Sequence, residues 1–163
     1  MKWLPNRSDS VNNLIQLLAD APDPAVRDTK RAVELARVAM RCEPVDLKGG
    51  RARVSNGGPA SQLDMTADKA RRLLAFALVC DGRYQEGLDA CAEVRANGGE
   101  DDGWLRIGEA YAHAKLGDLA AAADAYRRTE EWFESHPLSA EHRKILDRRL
   151  ARVAELLGPA RSR

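Results

Sequence analysis

Two helix-ending turns constrain this chain most. Asp81-Gly82-Arg83-Tyr84 and Leu116-Gly117-Asp118-Leu119 carry equivalent glycines 35 residues apart (117 minus 82). A period of that length means that one short supersecondary unit recurs and buries its apolar face against the next copy. Apolar residues recur at three and four positions, the spacing of one helix face. Ala32, Val33, Leu35, Ala36, Val38 and Ala39 form one such stripe, and Ile145, Leu146, Leu150, Val153, Leu156 and Leu157 another. Aromatic residues make up only 5% of the chain. Small side chains must therefore supply the packing, which suits closely approaching helices better than a sandwich of sheets.

The punctuation predicts seven helices within a single domain over residues 1–163. The first can be capped by Ser8 or Ser10, has apolar residues Val11, Leu14, Ile15, Leu17 and Leu18 at helical spacing, and stops at Ala21-Pro22-Asp23-Pro24. Asp28 caps a second that ends near Cys42. Between Asp46 and Ala67 the periodicity disappears, and Lys48-Gly49-Gly50 with Asn56-Gly57-Gly58-Pro59 reads as a mobile loop at 46–67. Further helices are expected over Asp68 to Cys80, Tyr84 to Arg95, Trp104 to Leu116 and Leu119 to Glu134. Ser139 caps the last, a lid that ends at Gly158-Pro159.

Trp104-x2-Ile107-Gly108-x2-Tyr111 follows W-x2-L-G-x2-Y with one Leu-to-Ile change, and Ala122-x3-Tyr126 follows A-x3-F with an aromatic swap. Ala32-x3-Ala36-x2-Ala39 ahead of Pro44 looks like the second helix of the same unit. On these residues the chain resembles the tetratricopeptide-repeat (TPR) family. Leu17 to Asp28, Arg31 to Ala36 and Gly98 to Trp104 are similar to the C-terminal TPR segments of planctomycete-type multidomain bacterial proteins that carry kinase, WD-repeat or formylglycine-generating-enzyme-like domains. The resemblance implies an all-α fold: a short right-handed α-solenoid of about three helical hairpins plus a C-terminal capping helix. It also implies a non-catalytic scaffold, with a Gly or Ala at positions such as Gly108 letting a paired helix sit against the backbone. Gly87 departs from the pattern by standing where a packing Ala belongs. The spacing from Tyr111 to Ala122 also departs, so the last repeat is expected to be irregular.

Charge and composition narrow the function classes. Lys plus Arg number 26 and Asp plus Glu 25, a net charge of +1. No global field favours a nucleic-acid backbone or a membrane surface. The start, Met1 to Asn6, lacks the apolar stretch of a secretory signal, so a cytoplasmic location is expected. Cys42, Cys80 and Cys91 are odd in number and widely spaced, which predicts reduced thiols rather than a disulfide framework. His113, His136 and His142 match no compact metal-ligand spacing with them. Gly49-Gly50-Arg51-Ala52-Arg53 lacks the Gly-Lys-Ser/Thr ending of a phosphate loop and reads as a linker, with Arg51 and Arg53 left to touch an acidic partner. Asp101-Asp102 reads as solvated turn surface rather than acid/base machinery. Trp132 and Phe133 are expected to bury under the last helix, while Trp3 is a candidate exposed anchor.

No catalytic residue, cofactor or metal site is therefore expected, and the helix faces carry the functional signal. Lys69, Arg72, Phe76 and Val79 share one side of the third helix, and Trp104, Ile107, Tyr111 and Lys115 one side of the fifth. In repeats of the resembled class the first helix of each pair lines the inner groove. Lys69, Arg72, Phe76, Trp104, Tyr111 and Lys115 are thus the candidate partner-binding residues, an aromatic floor with a cationic rim for an acidic peptide or protein segment. The competing reading makes Phe76 and Tyr111 ordinary inter-helix packing. Two further functions stay open: a self-associating homodimer, because a short array leaves end surface unburied, and a regulatory domain that holds a small molecule.

Overall fold

The computed structural model describes residues 7–41, 67–99 and 101–158, with side chains from residue 11 onward. All regular structure among them is helical: α1 (Arg7–Asp20), α2 (Thr29–Arg41), α3 (Ala67–Cys80), α4 (Tyr84–Ala96), α5 (Gly103–Leu116), α6 (Leu119–Ser135) and α7 (Ala140–Leu157). Trp3, Cys42 and the Gly-rich stretch before Ala67, with Arg51 and Arg53, lie outside the described residues.

Local chemistry explains the helix ends. Asp28 accepts the Arg31 N–H (2.9 Å), and Ser139 accepts the His142 N–H (3.3 Å), each holding an amide that the first turn leaves unpaired. The two period-setting glycines share one geometry. Gly82 (φ +81°) and Gly117 (φ +85°) are left-handed. Each is followed by a residue whose N–H reaches back into the last turn, Arg83 to Leu78 O (3.0 Å) and Asp118 to His113 O (3.0 Å). Ser8 and Ser10, the expected starting positions, lie inside α1, which begins at Arg7.

The helices sort into two layers. α1, α3, α5 and α7 each touch the next; α2 packs on α1 and α3, α4 on α3 and α5, and α6 on α5 and α7, without approaching one another. One buried cluster joins α1, α2 and α3 through Ile15, Ala32, Val33, Ala36, Ala70, Leu73 and Leu78. A second joins α5, α6 and α7 through Ile107, Ala122, Tyr126, Phe133, Leu146, Val153 and Leu157. Ala75, Cys91, Val94 and Leu105 link the two. The predicted α2 stripe is buried at Ala32, Val33, Ala36 and Ala39, but Val38 is exposed. In α1, Leu14 and Leu17 are 44% and 49% exposed although they are apolar, because only the Ile15 side of that helix meets α2 and α3. Phe133 is buried as expected. Trp132 is only half-buried, and its ring stacks on His136 at 3.8 Å.

Two mid-helix glycines have opposite roles. A Cβ on Gly87 would lie 2.6 Å from Val79 Cγ2, so α4 approaches α3 more closely there than alanine permits. The repeat pattern assigns such an approach to Gly108, yet a Cβ there would meet nothing within 4 Å. Its side of α5 faces open space.

The two therefore predict opposite signs. Gly87→Ala should destabilise by about 1 kcal/mol, since the overpacking cost exceeds the gain in helix propensity. Gly108→Ala should stabilise by up to about 1 kcal/mol. Chemical denaturation midpoints of the two variants check this.

Candidate functional site

Side chains bridge the two ends of the layer α1-α3-α5-α7, whose first and last helices do not pack directly on each other. Asp20, at the C-terminal end of α1, is 5% exposed and accepts hydrogen bonds from three arginines of α7. Arg152 Nη1 reaches Oδ1 at 2.6 Å; Arg148 Nη2 and Arg149 Nε reach Oδ2 at 3.0 Å. Arg148 also donates to the Asp20 carbonyl (3.1 Å). The first helix of the layer is thereby tied to the last, across the face that the TPR resemblance implies to be an open groove. The expected lid does more than cap the stack, since its arginine side spans the concavity.

Two cavities remain inside this ring. One, of about 380 Å³, is walled by Phe76, Tyr84, Ile107, Tyr111 and Leu156, with Lys115, Arg27, Arg149 and Arg152 around it. The other, of about 270 Å³, is walled by Lys69, Arg72, Phe76, Trp104, Leu105 and His142. They meet at Phe76, Val79, Gly108 and Arg149, which line both. All six candidate residues therefore face one interior, divided between its two halves. Arg149 forms the divide, its guanidinium 4.2 Å from the Phe76 ring centre and 5.4 Å from that of Trp104.

The six residues have unequal tasks. Arg72 donates from Nη1 to Asp102 Oδ2 at 2.6 Å and pairs with Asp68 at 3.3 Å. Asp102 in turn accepts the Leu105 N–H at 2.8 Å and caps α5. Arg72 thus clamps the start of α5 to α3. Asp102 is buried. Asp101 pairs with Arg95 and Arg106, both at 3.1 Å. The two acids therefore form a structural clasp and not the solvated turn expected from their place beside Gly103. Lys115 lies over the Tyr111 ring at 5.4 Å, and Tyr111 meets Tyr84 edge-on at 6.2 Å. Phe76 both packs on the α1-α2-α3 core and lines both cavities, so packing and groove roles coexist in one side chain.

Electrostatics follow from burial. Burial alone would raise the Asp20 pKa, but the charge and hydrogen bond of Arg149, with Arg152 and Arg148, outweigh it and hold the carboxyl below its ordinary value. Burial lowers the pKa of Arg149, against the pull of Asp20. The thiols of Cys80 and Cys91 are pushed up to about 12, chiefly by burial, and stay protonated and weakly nucleophilic. His113, His136 and His142 sit in separate surroundings, beside Asp118, on Trp132 and near Trp104 respectively. Among the described residues no three His, Cys, Asp or Glu side chains are grouped to hold a metal ion. No described helix is long and apolar enough to cross a membrane.

Sequence reasoning missed Asp20 and the α7 arginines. The available signal was Arg148-Arg149-x2-Arg152, cations at one-turn spacing beside an apolar stripe. Such a face on a helix ordinarily meets water, and nothing local distinguishes it. Comparison of the chain with protein-family models, curated proteins and solved structures found no match.

Asp20→Ala should cost about 3 kcal/mol, because it leaves the buried Arg149 charge without its counter-ion. The depressed Asp20 value also sets the pH dependence. Its stabilisation is complete above the ordinary value of 3.8 and is lost as pH falls through the lower folded-state value. Thermal melts between about pH 2 and 7 should show a weaker acid dependence in Asp20→Asn than in the parent chain.

Proposed function

We propose that the chain is a non-catalytic, TPR-like interaction scaffold of the short α-solenoid kind, and that its inner face receives an acidic segment of another protein. One observation carries this reading. The carboxylate of Asp20 already sits among the arginines of that face, so the surface selects carboxylates within its own structure. An acidic partner would compete with Asp20 for the same donors, and aromatic side chains would enter the spaces beside Phe76, Trp104 and Tyr111. Stacked helices supply such a surface without any reactive constellation.

Lys69 and Lys115 line different cavities and are the rim charges to test. Arg72 is a poor choice, because reversing it would also break the clamp on α5. A panel of fluorescein-labelled peptides, each about a dozen residues long and rich in Glu, Asp and Phe, is the probe, read by anisotropy. The Lys69→Glu, Lys115→Glu double variant should weaken binding of the best peptide at least about tenfold with its helical dichroism unchanged. Equal binding by the double variant, or no binding by any peptide, rejects the reading.

Self-association is the second reading, favoured by Leu14 and Leu17 on the exposed side of α1. If this side pairs two copies, sedimentation velocity gives a dimer for the parent chain and a monomer for Leu14→Glu, Leu17→Glu.

A further inference from the structure

The larger cavity holds more positive than negative charge. Arg27, Lys115, Arg149 and Arg152 line it against only Asp20 and Glu155. Asp20 is also shared with Arg148. Three guanidinium groups bring five N–H donors each, whereas one carboxylate offers about four lone-pair sites, so Asp20 cannot saturate them. Of the three, Arg149 is only 12% exposed, whereas Arg148 and Arg152, at 33% and 40%, also reach water. A partly desolvated cation cluster is costly unless another anion completes it.

The opposite wall is apolar and flat-sided. Phe76, Tyr84 and Tyr111 present rings, Ile107 and Leu156 fill between them, and Gly108 leaves a gap where any other residue would project a side chain. Glycine in the middle of a helix costs about 1 kcal/mol relative to alanine, and no neighbouring atom within 4 Å requires it here. At about 380 Å³ the space falls in the range of small-molecule sites, with an apolar wall and a few converging polar groups.

We propose that this cavity is a binding site for a small organic anion with a flat aromatic body, the rings taking the apolar part and Lys115, Arg149 and Arg152 the anionic group. Bound there, the anion would share the α7 arginines with Asp20 and strengthen the tie between the first and last helices. Binding would raise the melting temperature with ligand concentration. The site does not depend on the chain having a protein partner, so peptide capture can fail while this proposal stands.

The test uses the full chain with 2-naphthoate as probe and the neutral 2-naphthalenemethanol as control, by calorimetric titration and amide NMR. The acid should bind with a Kd below about 1 mM and at least about tenfold more tightly than the alcohol. Shifts should centre on Tyr84, Tyr111, Lys115, Arg152 and Leu156, which line this cavity and not the other. Gly108→Leu, which fills the gap with a good helix former, should reduce binding at least about tenfold. Lys115→Gln should weaken the acid and leave the alcohol unchanged. No binding of naphthoate at millimolar concentration, equal affinity for acid and alcohol, or shifts centred elsewhere would overturn the proposal. Should Gly108→Leu fail to fold, the NMR shifts of the parent chain still locate the bound acid in this cavity or outside it.

Discussion

The carboxylate of Asp20 joins the first helix to the last, and the shape of the interior depends on that junction. Each helix layer by itself is held by small apolar contacts that fix which helices are neighbours but leave the far ends of the stack free. Three guanidinium groups converging on one buried carboxylate supply a directional constraint that such contacts lack. Because only one end of the bridge is acidic, the closure carries surplus positive charge inward. The same contact that borders the cavities thereby sets the charge of their walls.

Arg72 and Arg149 illustrate how one residue type serves different ends. Arg72 meets two carboxylates, Asp68 and Asp102, and its energy goes into holding α5 on α3. Arg149 shares its single carboxylate and lays its remaining face over Phe76 and Trp104. The first arrangement is structural. The second sits between the two cavities, beside rings that line them.

Much of the local architecture was legible in the residues. Asp28, Ser139 and the glycines at 82 and 117 end or begin helices through bonds to atoms only a few positions away, so the chain carries that information locally. The shared faces of the set from Lys69 to Lys115 were legible too, since residues three and four apart share a helix face wherever the helix goes, but that those faces turn inward was implied only by the resemblance. Other readings failed where a distant partner decided. Asp102 looks solvated until Arg72, thirty positions earlier, is folded against it. Gly87 and Gly108 look alike in a helix, and only the position of Val79 separates a tight approach from an open wall.

The amino-acid order by itself determined the helices of the described residues, most of their ends and the alanine-rich faces that pack them, because each depends on neighbours within one or two turns. Tertiary structure alone decided that α7 would span the concavity, that Leu14 and Leu17 would stay uncovered, and that Asp20 would meet arginines 128 to 132 positions away. The physical reason is range. Capping and helical periodicity act over a few ångströms along the backbone, whereas an ion pair between the ends of the chain exists only after every intervening helix has fixed its angle and place.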